Sequence, residues 1–115
     1  MITNQVIQNT IDELNSITKV DFVVYDVECG IVASTSNGMT VNADTIDEFV
    51  AGSEECQTIE ENSYCKVWDD SDVAYIVVSF GLGEMATTMV RVVASQLQSL
   101  MQAYKERIDR NNFFK

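Results

Sequence analysis

Residues 64–80 read YCKVWDDSDVAYIVVSF, and the fold of the chain depends on this stretch more than on any other. Two runs rich in aromatic and β-branched residues, 64–68 and 73–80, flank an acidic turn at residues 69–72, a pattern typical of a β-hairpin. Counting outward from that turn predicts three cross-strand pairs. They are Trp68 with Val73, Lys66 with Tyr75, and Tyr64 with Val77.

The predicted hairpin has two unlike faces, because side chains alternate along a strand. One face carries the three pairs above and Ser79 and is aromatic and partly polar, whereas the other is almost wholly aliphatic. A sheet with helices on one side and a ligand-sized space on the other would produce this contrast. The candidate ligand-binding residues come from the first face and from a middle helix. They are Tyr64, Lys66, Trp68, Tyr75, Ser79 and Phe49.

Lys66 is the most suggestive of these residues, since no other basic residue lies between Lys19 and Arg91. Its ammonium group either binds an acidic group inside a pocket or extends past the sheet edge to pair with a surface acid. The sequence leaves both interpretations open.

The first third of the chain predicts a helix and a hairpin. Apolar residues at three- and four-residue spacings indicate an amphipathic helix over residues 3–17. Residues 22–27 and 31–35 then predict two strands joined by the turn 28–30, with Gly30 expected at positive φ.

A short helix and a short strand precede the central hairpin, and one long helix follows it. Asn42 or Asp44 is the expected cap of the short helix, which runs to about residue 50 and ends at Gly52. The strand begins at Gln57. The segment Gly81-Leu82-Gly83 reads as a strand-to-helix turn, because a nucleotide fingerprint requires a third glycine and a parallel βαβ unit.

This order of elements predicts a single α/β (α+β) domain over residues 1–115. A five-stranded antiparallel sheet with strand order 2-1-5-4-3 joins the strands without crossing connections, provided that the middle helix carries the chain from one edge to the other. That is the PAS/GAF-like arrangement, and roadblock and profilin-like domains use closely related ones.

The long helix carries a narrow apolar stripe with spacings of three and four residues. Such a seam is typical of helix-on-helix packing, so the sequence predicts a homodimer through this helix, assisted by the first one. The candidate interface residues are Val90, Val93, Leu97, Leu100, Tyr104, Ile7, Ile11 and Leu14.

The charge of the chain excludes several partners. The formal net charge is −11, and it is uneven: residues 1–99 hold three bases against sixteen acids (−13), and residues 100–115 hold four bases against two acids (+2). A body this acidic repels phosphate backbones and anionic lipid surfaces. No apolar run is long enough for a membrane span, so we expect a cytoplasmic protein whose basic end faces a different neighbour.

Catalytic and metal-binding signatures are lacking. The chain has no histidine, and its three cysteines, Cys29, Cys56 and Cys65, form no Cys-x-x-Cys pair. We therefore expect neither a zinc site nor a disulfide framework, no cofactor, and no enzyme activity. The turn at residues 69–72 lacks the glycine and glutamate of a calcium loop.

Three segments carry a family resemblance: residues 2–12 (ITNQVIQNTID), residues 26–35 (DVECGIVAST) and residues 103–115 (AYKERIDRNNFFK). Together they resemble the N-terminal sensory domain of bacterial transcriptional regulators related to the carbohydrate diacid regulator. The resemblance implies a dimeric domain that senses a small effector, by analogy a sugar diacid. It also implies a PucR-type helix-turn-helix beyond residue 115 that binds DNA.

The charge pattern departs from a diacid sensor, because two carboxylates call for cationic contacts and the body has only three bases. A neutral, apolar or aromatic ligand, or no ligand at all, suits the predicted face better. The alternative function is a roadblock or profilin-like scaffold that dimerises and binds no small molecule.

Overall fold

The computed structural model describes residues 3–35, 39–81 and 83–113, with side chains up to Glu106. Its elements are α1 (Asn4–Thr18), β1 (Phe22–Asp26), β2 (Ile31–Ser34), α2 (Ala43–Ala51), β3 (Cys56–Ile59), β4 (Asn62–Asp69), β5 (Asp72–Phe80) and α3 (Glu84–Phe113). All strand pairs are antiparallel, and the order is β2-β1-β5-β4-β3. The predicted fold class and strand order are confirmed. Leu82 and the side chains of the basic end, residues 107–115, lie outside the described residues.

Local signals set the helix boundaries. The Thr3 hydroxyl accepts a hydrogen bond from the Val6 amide at the start of α1, and the Asn42 side chain accepts one from the Asp44 amide at the start of α2. Gly52 ends α2, as expected, although in an extended conformation (φ −76°). Gly81 and Gly83, with φ of 106° and 126°, let the chain turn from β5 into α3.

A β-bulge changes the predicted register of the central hairpin. Trp68 pairs with Val73 as predicted, but the register then shifts, so that Val67 pairs with Tyr75 and Lys66 with Ile76. The predicted pairs Lys66–Tyr75 and Tyr64–Val77 are therefore wrong by one residue. Because one extra residue reverses the alternation of every later side chain, Tyr75, Val77 and Ser79 turn to the opposite face.

Both faces of the sheet are covered. Helices α1 and α3 cover one face over a core that includes Ile7, Val24, Val77 and Leu97. Helix α2 covers the other, where Ile46 and Phe49 pack with Val23, Tyr25, Tyr64, Ile76 and Val78. The ligand-sized space predicted on one face is thus filled by α2.

Two glutamine side chains close the edges of the sheet. Gln8 of α1 donates to the Ser34 carbonyl (2.8 Å) and accepts from the Ser34 amide (3.2 Å) on edge strand β2. Gln98 of α3 donates to the Trp68 carbonyl (2.6 Å) and accepts from the Trp68 amide (2.7 Å) where β4 extends past β3. These bonds satisfy backbone groups that would otherwise invite another strand.

The β1–β2 turn differs from expectation in one detail. The residue with positive φ is Cys29 (65°) and not Gly30, so that prediction was wrong. The Asp26 carboxylate accepts from the amides of Glu28 and Gly30, both at 2.9 Å, and this fixes the turn. Glycine fits at position 30 because a Cβ there would lie 3.1 Å from Asp26 Oδ2.

Candidate functional site

The structure divides the six predicted ligand-binding residues between the two faces. Tyr64, Lys66 and Trp68 lie on the α2 face with Phe49, whose ring centroid is 5.6 Å from that of Tyr64. Tyr75 and Ser79 lie on the α1/α3 face, because of the bulge described above. The six residues therefore form no common site.

Lys66 is enclosed in the fold. Only 4% of its surface is exposed, and its ammonium donates to the Gly52 carbonyl at 2.7 Å. The Nζ atom also lies 5.0 Å from the Phe49 ring centroid and 5.9 Å from that of Trp68, a cation–π arrangement. Lys66 thus joins the end of α2 to the sheet, an arrangement that neither sequence interpretation anticipated.

Ser79 also has an internal partner. Its buried hydroxyl donates a hydrogen bond (2.9 Å) to the carbonyl of Ala86 in the first turn of α3. Ser63, the cross-strand partner of Ser79, lies 3.5 Å from the Thr87 hydroxyl. These polar contacts hold the start of α3 on the sheet.

Tyr75 opens onto a cleft at the end of the sheet. Because β1 pairs with β5, the β1–β2 turn and the β4–β5 turn lie side by side, and α1 begins nearby. We call this the hairpin-end cleft; its volume is about 510 Å³. It is lined by Asn4, Asp26, Val27, Glu28, Ile31, Val32, Asp69, Asp72, Val73, Ala74, Tyr75 and Met101.

Acidic side chains give the hairpin-end cleft a negative potential. Asp26, Glu28, Asp69 and Asp72 line it. Lys105 of α3 is nearby and donates to Asp69 (2.7 Å) and Asp70 (2.6 Å), and these hydrogen bonds hold the pKa of Asp69 below its usual value. Burial, together with the charges of Asp26 and Asp69, raises the pKa of the Tyr75 hydroxyl.

The cleft could have been found from the sequence. Acids border both hairpin turns, and the predicted strand order already places those turns next to each other. The predicted site lay on one strand face, whereas the cleft lies at the ends of the hairpins.

The predicted dimer residues are also divided. Val90, Val93, Leu97, Ile7 and Ile11 are buried within the single chain, where α3 packs on β4 and β5 and beside α1. Leu14 is partly buried against the same core. Leu100 and Tyr104, 37% and 36% exposed, remain on the surface. Much of the apolar stripe therefore reflects the packing of α3 on the sheet. A short run of three- and four-residue spacings is the same for a helix that packs on a sheet and for one that packs on another helix.

The expectation that no disulfide forms was wrong. Cys56 and Cys65 are direct cross-strand partners on β3 and β4 and form a disulfide, with Cα atoms 4.2 Å apart. The sequence allows this disulfide to be predicted, because a two-residue turn at Glu60-Glu61 pairs position 56 with position 65.

Cys29 is the remaining thiol, and its surroundings disfavour reactivity. Partial burial and a contact between its Sγ and Asp47 Oδ1 (3.5 Å) raise the pKa of the thiol, with further contributions from the charges of Asp47, Asp26 and Asp44. A nucleophilic cysteine needs the opposite environment. Within the described ranges, no group of three or more acidic or cysteine side chains has a geometry that could hold a metal ion.

Comparisons with known proteins leave the fold and the cleft as the defining features. No protein-family model, no curated protein and no solved structure matches the chain. In the part of the chain that the structure describes, no helix combines the length and apolarity that a bilayer span requires.

Proposed function

We propose that this chain is the ligand-sensing and dimerisation domain of a bacterial transcriptional regulator whose DNA-binding helix-turn-helix follows α3. The observation that carries the proposal is the outer surface of the α1/α3 layer. Of the exposed large apolar residues in the described part of the chain, four lie on these two helices: Ile17, Met85, Leu100 and Tyr104. Leu100 and Tyr104 are one helical turn apart on α3, and this exposed apolar pair supports pairing with a second copy.

The length of α3 supports a coupling role. The helix continues for twelve residues after Met101, the last residue that it buries among those with described side chains. At ~1.5 Å per residue this is about 18 Å of helix beyond the core. Such a helix carries a change in dimer packing to a following domain. DNA contact is assigned to that domain because the acidic body repels phosphate.

The hairpin-end cleft supports the sensing role. Its volume of about 510 Å³ falls within the range of small-molecule sites. Met101 lines the cleft and belongs to α3, so an occupant contacts the helix that leads out of the domain. This contact supports a link between occupancy of the cleft and the position of α3.

Dimerisation is tested by light scattering on the purified chain. Leu100→Asp with Tyr104→Asp adds two charges to the exposed helix surface and should convert a dimer to a monomer. The matched control, Val27→Asp with Ile31→Asp, adds the same charges to exposed apolar residues of the β1–β2 hairpin and should remain dimeric. A monomeric wild type, or equal masses for both variants and the wild type, contradicts the proposal. Leu97 is unsuitable for this test because it lies in the core.

The redox state of Cys56 and Cys65 in cells tests the proposed cytoplasmic location. Reducing compartments keep thiols free, so chains precipitated in acid from their own cells and then alkylated in denaturant, which exposes the buried Cys65, should carry label on both Cys56 and Cys65. Protection of both cysteines from alkylation would contradict a cytoplasmic location.

A roadblock or profilin-like scaffold is the second candidate. It is favoured by the packing of Ile46 and Phe49 of α2 on the sheet face where the sequence predicted a ligand. The scaffold predicts dimers but no ligand-dependent stabilisation, whereas a true ligand at a hundred times its Kd adds about 2.7 kcal/mol to the free energy of unfolding.

A further inference from the structure

We propose that the hairpin-end cleft binds a small organic cation with an ammonium or amidinium head and an apolar body. This inference rests on the proposed sensing function and specifies its ligand class. It is carried by the joint presence in one cleft of unpaired acids, an apolar wall and the hydroxyl of a largely buried tyrosine.

The lining of the cleft matches an amphiphilic molecule. One wall is apolar and includes Val32, Val73, Ala74 and Met101. Val27 and Ile31 also line the cleft and are largely exposed, so the opening of the cleft is apolar too. An apolar body placed there removes this surface from water, which is the main source of affinity in such sites.

The charge of the cleft selects a cation. Glu28 and Asp72 line it, and neither makes an ion pair with any residue in the described part of the chain. Lys105 is already held by Asp69 and Asp70, which leaves the cleft with an excess of negative charge. A cationic head placed between the two hairpin turns offsets this repulsion.

The buried tyrosine is the second, independent indication of a ligand. Tyr75 is only 5% exposed, and its hydroxyl, which has no hydrogen-bond partner among the described residues, is the part of the side chain that reaches the cleft. That hydroxyl lies within electrostatic reach of Asp26 and Asp69, which also line the cleft. An N–H donor in the cleft completes its hydrogen bonding.

Other ligand classes fit less well. The described acids are not grouped closely enough to hold a metal ion, which argues for an organic cation. A dicarboxylate would meet four acidic side chains. Lys66, the basic residue first considered for a diacid, lies on the opposite face and bonds to Gly52.

Titration calorimetry on the purified chain tests this class directly. The probes are phenethylamine, tyramine and agmatine, with phenethyl alcohol as the neutral control, adipate as the dicarboxylate and calcium chloride as the metal. We expect at least one amine to bind, at least tenfold more tightly than phenethyl alcohol, and adipate and calcium not to bind. Binding of adipate or calcium in preference to every amine overturns the proposal, and so does failure of all three amines.

Variants locate the bound amine. Tyr75→Phe keeps the ring and removes the hydroxyl, and should lower affinity about tenfold. Glu28→Gln with Asp72→Asn should lower it by a similar factor and weaken its salt dependence. The control Glu54→Gln with Glu60→Gln changes net charge equally at exposed sites away from the cleft and should leave affinity unchanged.

The outcomes separate this inference from the proposed function. Equal affinity in the wild type and in both cleft variants shows that the amine binds elsewhere and overturns the inference. A wild type that is dimeric but binds no amine likewise overturns it, while the dimerisation role stands. A monomeric wild type that binds amines in the cleft keeps the inference and overturns the dimer.

Discussion

The face of the sheet beneath α1 and α3 and the face beneath α2 are both buried, but they are filled differently. The first is mainly aliphatic and is covered by a fifteen-residue and a thirty-residue helix. The second is covered by a nine-residue helix and combines aromatic rings with the ammonium of Lys66. Adjacent residues of β4 belong to each: Lys66 to the second face and Val67 to the first. The ammonium of Lys66 is buried on the second face because the Gly52 carbonyl and the rings of Phe49 and Trp68 interact with its charge there.

The strongest test of this difference places a lysine on the wrong face. Val67→Lys buries an ammonium among aliphatic side chains, and we expect a loss of more than about 4 kcal/mol in the free energy of unfolding, or no folding. Val67→Ala removes the same contacts without adding charge and should cost about 2 kcal/mol. Urea denaturation measures both. Similar losses for the two variants would show that the first face tolerates charge.

Reduction of the disulfide should have the next largest effect. This bond also belongs to the first face, because Cys65 lies in the core there. Reduction opens a loop closed across a sequence separation of 9 residues. We expect it to lower the free energy of unfolding by about 2.5 kcal/mol, because loop closure restricts the unfolded chain. Urea curves with and without reductant measure this loss, and Cys29→Ala should show the same loss. No change on reduction would mean that the disulfide adds no stability.

Lys66 variants separate charge from packing on the second face. Lys66→Met keeps the long apolar stem and removes the bond to Gly52 and the cation–π contacts with Phe49 and Trp68. Because the exposed Gly52 can bind water and the cost of burying an ammonium is also removed, we expect a loss below about 1 kcal/mol. Lys66→Ala also removes the stem and should cost about 2 kcal/mol. The same denaturation assay compares them. Equal losses would show that the ammonium contributes more than the stem.

The smallest effect concerns the Lys105 bridge to the β4–β5 turn. The lowered pKa of Asp69 means that its stabilising contribution is present above the ordinary carboxyl value of 3.8 and is lost as pH falls through the folded-state pKa. Lys105→Met should therefore lower the urea midpoint slightly at neutral pH and not at all below that pKa. A difference that persists in strong acid would contradict this assignment.

The order of elements was predictable because it depends on local patterns. Periodicity and caps locate the helices and strands within a residue or two, and connection rules then give the strand order. The register was not predictable, because no local signal marks the bulge beside Val67 and one extra residue reversed the faces of Tyr75 and Ser79. The predicted ligand-binding site was wrong because it depended on the predicted register. The acids at both hairpin turns, in contrast, can be read directly from the sequence.

By itself, the sequence determined the secondary structure, the strand order and the acidity of the body, since each depends on neighbouring residues or on composition. Only the tertiary structure decided which side chains meet. It buried Lys66 against Gly52, joined Cys56 to Cys65, and placed Val90, Val93 and Leu97 in the core of the single chain. It also brought the two hairpin turns together around Tyr75, because pairing between β1 and β5 joins residues that are distant along the chain.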